Sequence, residues 1–141
     1  MPLASALLAV AALVAVAVIG GVVWRLLDGR RRRGDGVVDA TTLGLPSGRD
    51  ALVLFSTEIC SRCPQVRRML QSIASEHPNV ALVDVDLTHR PDVASAHRVL
   101  STPTTFVISA EGHVTARFIG VPQRADVTAA LTEERTLQGA S

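Results

Sequence analysis

Cys60 and Cys63 are the only cysteines in this chain of 141 residues, and two residues separate them. They follow an apolar run at residues 51–55 and precede an amphipathic stretch that begins at Pro64. A strand that leads through a loop into a helix at a C-x-x-C places two thiols within bridging reach, with the first facing solvent at the helix N-terminus. The pattern predicts a redox site.

A zinc site is the alternative use of two closely spaced cysteines. A structural zinc ion needs four ligands. The remaining ligands would have to be histidines, and none has the spacing of a second ligand pair: His77, His89, His97 and His113. We therefore expect no metal site and no bound cofactor, and we place the histidines at the surface.

The elements around the cysteines can be read from apolar spacing. A helix after Cys63 is expected to bury residues at i, i+3, i+4 and i+7, namely Val66, Met69, Leu70 and Ile73. Residues 80–85 are typical of a strand, and the carboxylates of Asp84 and Asp86 at its end could pair with arginines.

The rest of the chain continues the alternation of strands and helices. A short helix opening at Pro91 is expected to turn Val93, Ala96 and Leu100 inward. Strands at 104–108 and 114–119 flank a turn with Gly112, and a last helix starts at Arg124 or Asp126. The order βαβαββα predicts an α/β layer arrangement.

This order, with the cysteines on a βα turn, resembles the thioredoxin family over about residues 51–137. Residues 101–104, Ser-Thr-Pro-Thr, look like the family's cis-proline loop. The resemblance implies a thioredoxin-like fold, a mixed central sheet flanked by helices, with a cis bond between Thr102 and Pro103 beside the disulfide. It also implies that the Thr102 backbone holds the substrate segment by strand-like hydrogen bonds. An ordinary loop proline is the alternative for Pro103.

The chain departs from the family pattern near the cysteines. Ile59 replaces the usual tryptophan, and Ser61-Arg62 replaces Gly-Pro between the cysteines. The family's buried acid falls on Leu54 and its buried lysine on Leu82. The usual proton acceptor for the second cysteine is therefore missing, and Glu58 or water is the expected substitute.

The expected chemistry is thiol–disulfide exchange. The helix dipole and Arg62 favour the Cys60 thiolate, whereas Glu58 opposes it. Cys60 is the predicted nucleophile, and Cys63 resolves the mixed disulfide. In a reducing cytosol the net direction is reduction of protein disulfides, which requires an upstream dithiol electron donor.

Residues 3–24 form an uncharged stretch long enough to cross a bilayer as a helix. Only the α-amino group is positive before it, whereas Arg25 and the four arginines at 30–33 follow it. The positive-inside rule predicts a single-pass protein of the cell membrane with the rest of the chain in the cytoplasm. A cleaved signal peptide is the alternative, but it requires a positive N-terminal region and a shorter apolar core.

Composition and charge set the limits of the rest. Residues 25–50 are expected to form a basic juxtamembrane segment and flexible linker, with weak strand character at Val37 and Val38, and residues 51–138 form one small domain. Nine arginines and twelve acidic residues follow Gly34, which argues against a nucleic-acid partner. Lipid and membrane-associated disulfide proteins are the expected partners.

Two other functions stay open at this stage. A single N-terminal anchor is also found in the exported-face, thioredoxin-like reductases of cytochrome c maturation, which would require the arginine cluster to lie outside. The lost tryptophan, Gly-Pro dipeptide and buried charges are compatible instead with a non-catalytic thioredoxin-fold adaptor. Reduction of model disulfides that depends on Cys60 separates the adaptor from an enzyme.

Overall fold

A mixed sheet of five strands organises the computed structural model, which describes residues 2–27, 31–34 and 36–140. The strands are β1 (Arg31–Arg33), β2 (Asp50–Ser56), β3 (Val80–Asp86), β4 (Thr104–Ile108) and β5 (Val114–Ile119). They lie in the order β1-β5-β4-β2-β3. Only β2 and β3 are parallel among these described strands, and the other neighbouring pairs are antiparallel.

Five helices accompany this sheet in the described residues. They are α1 (Pro2–Leu27), α2 (Ala40–Leu43), α3 (Cys63–Glu76), α4 (Pro91–Ala96) and α5 (Arg124–Gly139). The expected α/β arrangement, a mixed sheet flanked by helices, is confirmed.

Both faces of the central strands are covered. All seven residues of β2 are buried, which is why its middle reads as a continuous apolar run. One face packs Leu52 and Leu54 against α3 and α5, and the other packs Val53 and Phe55 against the side of α4. Each of these buried leucine and phenylalanine side chains contributes about 1.5–3 kcal/mol to folding.

The segment expected as a linker contributes to the packed domain. Within residues 25–50 the structure places β1, the helix α2, and the buried side chains of Val38 and Leu43. Val37 forms only an isolated antiparallel bridge with His113. The sequence did not predict this strand because β1 joins β5 through backbone pairing. A run of arginines has no apolar periodicity that would indicate a strand.

Gly34 fixes the path of the chain after β1. Its N–H donates to the Thr115 carbonyl over 3.4 Å. A Cβ atom at this position would clash with the backbone carbonyl of Val114, so only glycine permits this close approach. Gly34 and residues 36–38 therefore lie against the β5 hairpin.

The short helix α4 ends earlier than its apolar pattern suggests. Arg98 has a φ of 52°, a left-handed conformation that does not continue a helix. Val99 then fills the core, with its N–H donating to the Ala94 carbonyl over 2.8 Å. The expectation that Leu100 and Ala96 face inward is wrong, because both side chains are exposed.

The helix α1 is long and apolar enough to cross a membrane by length and composition. None of its residues is buried against the rest of the described structure. Signal sequences near an N-terminus share these properties. The helix has 26 residues and would extend about 39 Å at 1.5 Å per residue. It includes the whole predicted span of residues 3–24 and continues to Leu27.

Candidate redox-active site

The two cysteines form a disulfide at the junction of β2 and α3. Their Cα atoms are 5.5 Å apart, within the range that a disulfide requires. Cys63 is the first residue of α3 and is 1% exposed, whereas Cys60 lies in the preceding loop and is partly exposed. Solvent and a partner molecule can therefore approach Cys60 and not Cys63.

Local sequence explains why the helix begins at this point. Pro64 occupies the first turn of α3, where a missing N–H leaves no helical hydrogen bond unmade. The preceding loop is closed by the Cys60 N–H, which donates to the Thr57 carbonyl over 3.2 Å. Arg62 is the N-cap residue, and its side chain makes no capping hydrogen bond. The first-turn N–H groups of a helix have no partner within the helix, and the first turn of α3 directly follows the loop that carries Cys60.

A second loop lies beside the cysteines and leads into β4. Its Thr102–Pro103 peptide bond is cis. The hydroxyl oxygens of Thr57 and Thr102 are 3.3 Å apart and share a hydrogen bond that joins the two loops. Pro103 is buried, and its carbonyl accepts a 2.9 Å hydrogen bond from the Gly120 N–H.

An open depression of about 270 Å³ lies where these loops meet, and it is lined by Thr57, Ile59, Cys60, Ser61, Arg62 and Thr102. Three of the predicted site residues thus share one surface: Cys60, Arg62 and Thr102. Cys63 is joined to this surface through the disulfide, and Pro103 follows Thr102.

Glu58 does not line the depression. It is exposed, and its backbone N–H donates to the Thr88 hydroxyl over 3.0 Å. That hydroxyl in turn donates to Asp86 over 2.5 Å. Hydrogen bonds from the Thr88 hydroxyl and then from the Thr88 backbone hold the pKa of Asp86 below its usual value. The loop before Cys60 is therefore fixed to the loop after β3 through its backbone.

Two exposed apolar side chains accompany the site loops. Ile59, which replaces the family's tryptophan, is 94% exposed. Leu100, three residues before Pro103, is 97% exposed. The helical spacing from Val93 predicts a core position for Leu100, but Val99 occupies the core instead.

The positions of the family's buried charges are apolar here, as the sequence indicates. Leu54 is fully buried, and Leu82 packs partly buried against the same core. The in-register partner of Leu54 on the parallel strand β3 is Asp84. Directly paired residues of neighbouring strands point to the same sheet face. The Asp84 carboxylate therefore lies beside Leu54, the position that corresponds to the family's buried acid.

Asp84 joins three elements at this face. Ser56, at the end of β2, is 3% exposed, and its hydroxyl donates to Asp84 Oδ1 over 2.6 Å. Arg67 donates through Nε to Asp84 Oδ2 over 2.5 Å. Arg67 follows Cys63 by four residues on α3, so both side chains lie on one helix face. The expected pairing of Asp84 with an arginine is found.

The histidines make local contacts. The Nδ1 atoms of His77 and His97 lie 2.8 and 2.9 Å from the carbonyls of Ile73 and Val93. In the described part of the chain, no group of three or more histidine, cysteine or acidic side chains has a metal-binding arrangement.

A redox-active cysteine pair on a βα turn of this sheet defines a thiol–disulfide oxidoreductase. The chain belongs to the thioredoxin family, whose sequence profile matches residues 44–133. It is similar to a thioredoxin of Methanocaldococcus jannaschii, with 28% identity over 72 residues, 50% of this chain and 79% of the relative. A thioredoxin of Chlamydia trachomatis is 29% identical over 73 residues, 52% of this chain and 71% of the relative.

Solved structures agree on the fold. Fasciola hepatica thioredoxin superposes with a TM-score of 0.54 and 25% identity, covering 62% of this chain and 83% of that one. Oxidised mitochondrial thioredoxin 3 of Saccharomyces cerevisiae gives 0.54 and 20%, covering 61% and 79%. The thioredoxin-like fold is confirmed.

Proposed function

We propose that this chain is a membrane-tethered protein-disulfide reductase whose redox domain lies on the cytoplasmic side. The observation that carries the chemistry is the asymmetry of the disulfide. Cys63 is 1% exposed, whereas Cys60 opens into the depression beside Thr102. Cys60 is therefore the nucleophile, and Cys63 is the resolving cysteine.

The reaction transfers two electrons from the dithiol to a substrate disulfide. The Cys60 thiolate attacks one substrate sulfur, which forms a mixed disulfide and releases the other substrate sulfur as a thiolate. Cys63 then loses its proton and attacks Cys60 Sγ. This step forms the Cys60–Cys63 disulfide and releases the second substrate thiolate. A dithiol electron donor returns the pair to its reduced state.

Two features of the loop favour the Cys60 thiolate. The N-terminus of α3 presents partial positive charge, and Arg62, which lines the same depression, carries a guanidinium. The Glu58 carboxylate opposes them from an exposed position that does not line the depression. We expect the positive contributions to dominate.

Asp84 is the group we assign to accept the Cys63 proton. It occupies the sheet face on which the family's buried acid stands, displaced by one strand, and Ser56 connects it to the end of β2. Arg67, one helical turn after Cys63, holds the other carboxylate oxygen. Asp84 thereby takes the role that the sequence left to Glu58 or water.

The substrate segment binds along the cis-proline loop. Thr102 is fixed beside the cysteine loop by its hydroxyl contact with Thr57. An extended peptide placed in the depression would form strand-like hydrogen bonds with the Thr102 backbone, with its sulfur at Cys60. Pro103, the next residue, is buried, and its carbonyl accepts from the Gly120 N–H.

Cellular trapping with Cys63→Ser tests the chemistry. This variant should stall at the mixed disulfide on Cys60, so that substrates are recovered as covalent adducts that a reductant releases. The double variant that also carries Cys60→Ser is the matched control and should capture nothing. If Cys63→Ser forms no adducts in cells or with model disulfides, the adaptor function replaces the enzymatic one.

Sidedness needs a separate test. The arginines that follow α1 support a cytoplasmic domain through the positive-inside rule. If the domain is cytoplasmic, a reporter enzyme that functions only in the cytoplasm should be active when it is fused after Ser141. Activity of a reporter that works only outside the cytoplasm would instead indicate an exported-face reductase.

A further inference from the structure

The register of the sheet places the start of β1 at the same end of the strands as the redox site. We call this end of the sheet, where β2 ends and β4 begins, the redox edge. Arg31 pairs with Phe118, Phe118 with Thr105, and Thr105 with Leu54. Since β1 runs antiparallel to β5, its first residue lies near the end of β2 at Ser56. The chain thus enters the sheet from the edge where the cysteine loop leaves it.

The connection from α1 to this edge is short. Three residues separate Leu27, the last residue of α1, from Arg31. Consecutive Cα atoms are 3.8 Å apart, so the Cα atoms of Leu27 and Arg31 lie within about 15 Å of each other by any path. Three strand spacings, about 14 Å in total, separate β1 from β2 across the sheet. The end of β2 therefore lies within about 30 Å of the end of α1.

Backbone hydrogen bonds hold the residues that follow β1 on the sheet, so these residues do not lengthen the linker between α1 and the domain. The Gly34 N–H donates to Thr115, and the Val38 N–H donates to the Gly112 carbonyl over 3.0 Å. The chain reaches the opposite edge of the sheet only after it has been bound along β5. The residues that follow β1 consequently add nothing to the reach of the redox edge.

From this geometry we infer the substrate class: a membrane protein whose disulfide lies close to the bilayer surface. The inference rests on the proposed function and deepens it. With α1 in the bilayer, the short connection keeps the edge that carries Cys60 and Thr102 within about 30 Å of the end of α1, whereas the hairpin with Gly112 lies at the opposite end of the strands. Ile59 and Leu100 are 94% and 97% exposed on the loops of this edge and suit an apolar juxtamembrane partner.

The test uses the full chain in lipid vesicles with two membrane reporters. Each reporter carries one disulfide-closed loop, either directly beside its membrane segment or beyond a helical spacer of about 40 residues, roughly 60 Å. Soluble insulin is the third substrate. We expect the chain to reduce the near disulfide at least about tenfold faster than the far one, because tethering raises the effective concentration only where both sites meet.

Two matched insertions identify the cause of that preference. About 20 glycine and serine residues between Gly29 and Arg30 add a reach of roughly 25 Å and should reduce the preference to about threefold or less. The same insertion between Ser47 and Gly48, an exposed turn after β1, leaves the reach unchanged and should retain the preference. Gly34→Val, which expels the chain from β5, should weaken the preference without any added residue.

The outcomes separate the two levels of the proposal. Equal rates on both reporters, or a preference that survives the first insertion, would overturn the inference. Reduction of insulin in the same experiment would still support the proposed reductase activity. Failure of the unaltered chain to reduce insulin and both reporters would overturn the proposed function and the inference together. A preference lost only with the first insertion and with Gly34→Val supports the near-bilayer substrate.

Discussion

The hydroxyl of Ser56 donates a 2.6 Å hydrogen bond to Asp84 Oδ1, across the parallel strands β2 and β3, close to the redox site. Ser56 is 3% exposed, whereas the Asp84 side chain is 31% exposed. Arg67 donates to the other carboxylate oxygen, so Asp84 is held at both oxygens while part of its side chain stays open to water. We propose this carboxylate as the proton acceptor for Cys63 because its register partner on β2, Leu54, cannot take a proton.

Asp84→Asn tests this role with little change of shape. The asparagine oxygen can still accept from Ser56 or Arg67, but the side chain cannot take a proton. We expect disulfide reduction at pH 7 to fall by about a hundredfold, the lower end for a positioned general base, with the mixed disulfide accumulating. Stopped-flow measurement with a fluorescent disulfide substrate distinguishes attack from resolution.

The pH profile supplies a readout that loss of structure would not give. As pH rises, hydroxide can increasingly remove the thiol proton without a protein base, so the deficit of Asp84→Asn should shrink. Asp92→Asn, in the exposed first turn of α4, is the control and should leave the rate unchanged. A deficit equal at every pH would show that Asp84 only supports the structure.

The difference in burial between the cysteines predicts selective modification. In the folded, reduced chain, iodoacetamide should alkylate Cys60 at least about tenfold faster than Cys63, because the thiolate must be accessible to react. Peptide mass spectrometry after a brief pulse measures the ratio. The urea-unfolded chain is the control and should show nearly equal labelling. Equal labelling of the folded chain would contradict the assigned roles.

Glu134 makes stability depend on pH. It is 9% exposed on α5, and burial, only partly opposed by a hydrogen bond from Gln138, raises the pKa of its carboxyl. A raised pKa in the folded state means that the folded chain binds this proton more tightly than the unfolded chain. The stabilisation from that proton is present below the unfolded pKa and is lost as pH rises through the folded pKa.

Glu134→Gln should therefore stabilise the chain at neutral pH. The amide keeps the size of the side chain and carries no charge that burial would penalise. We expect a higher urea midpoint than for the unaltered chain at pH 7 and convergence of the two below pH 4. The exposed neighbour Glu133, changed to glutamine, is the control. A gain that persists unchanged at acid pH would contradict the electrostatic explanation.

The sequence predicts best where apolar periodicity carries the signal. Val66, Leu70 and Ile73 are buried on α3 as their spacing predicts, because one helix face must cover the sheet. Met69 is partly buried and packs against the same core. The buried strand β2 is equally visible as an apolar run.

Backbone-driven features gave no such signal. The strand β1 consists of arginines and pairs with β5 through its backbone, so nothing in its side chains marks it. Leu100 follows the helical spacing of α4, but the left-handed Arg98 ends that path. The contact of Ser56 with Asp84 joins residues 28 positions apart, and it depends on a strand register that the sequence alone does not contain.

The arginine strand has a consequence for how this protein can be handled. β1 covers the outer side of β5, whose N–H and C=O groups would otherwise form an open sheet edge. A fragment cut at residue 51 would bare that edge and also lose Val38 and Leu43 from the core. Such a fragment would be prone to aggregate through pairing of β5 with other copies of the fragment. A water-soluble version of this protein should therefore retain the arginines that precede Gly34.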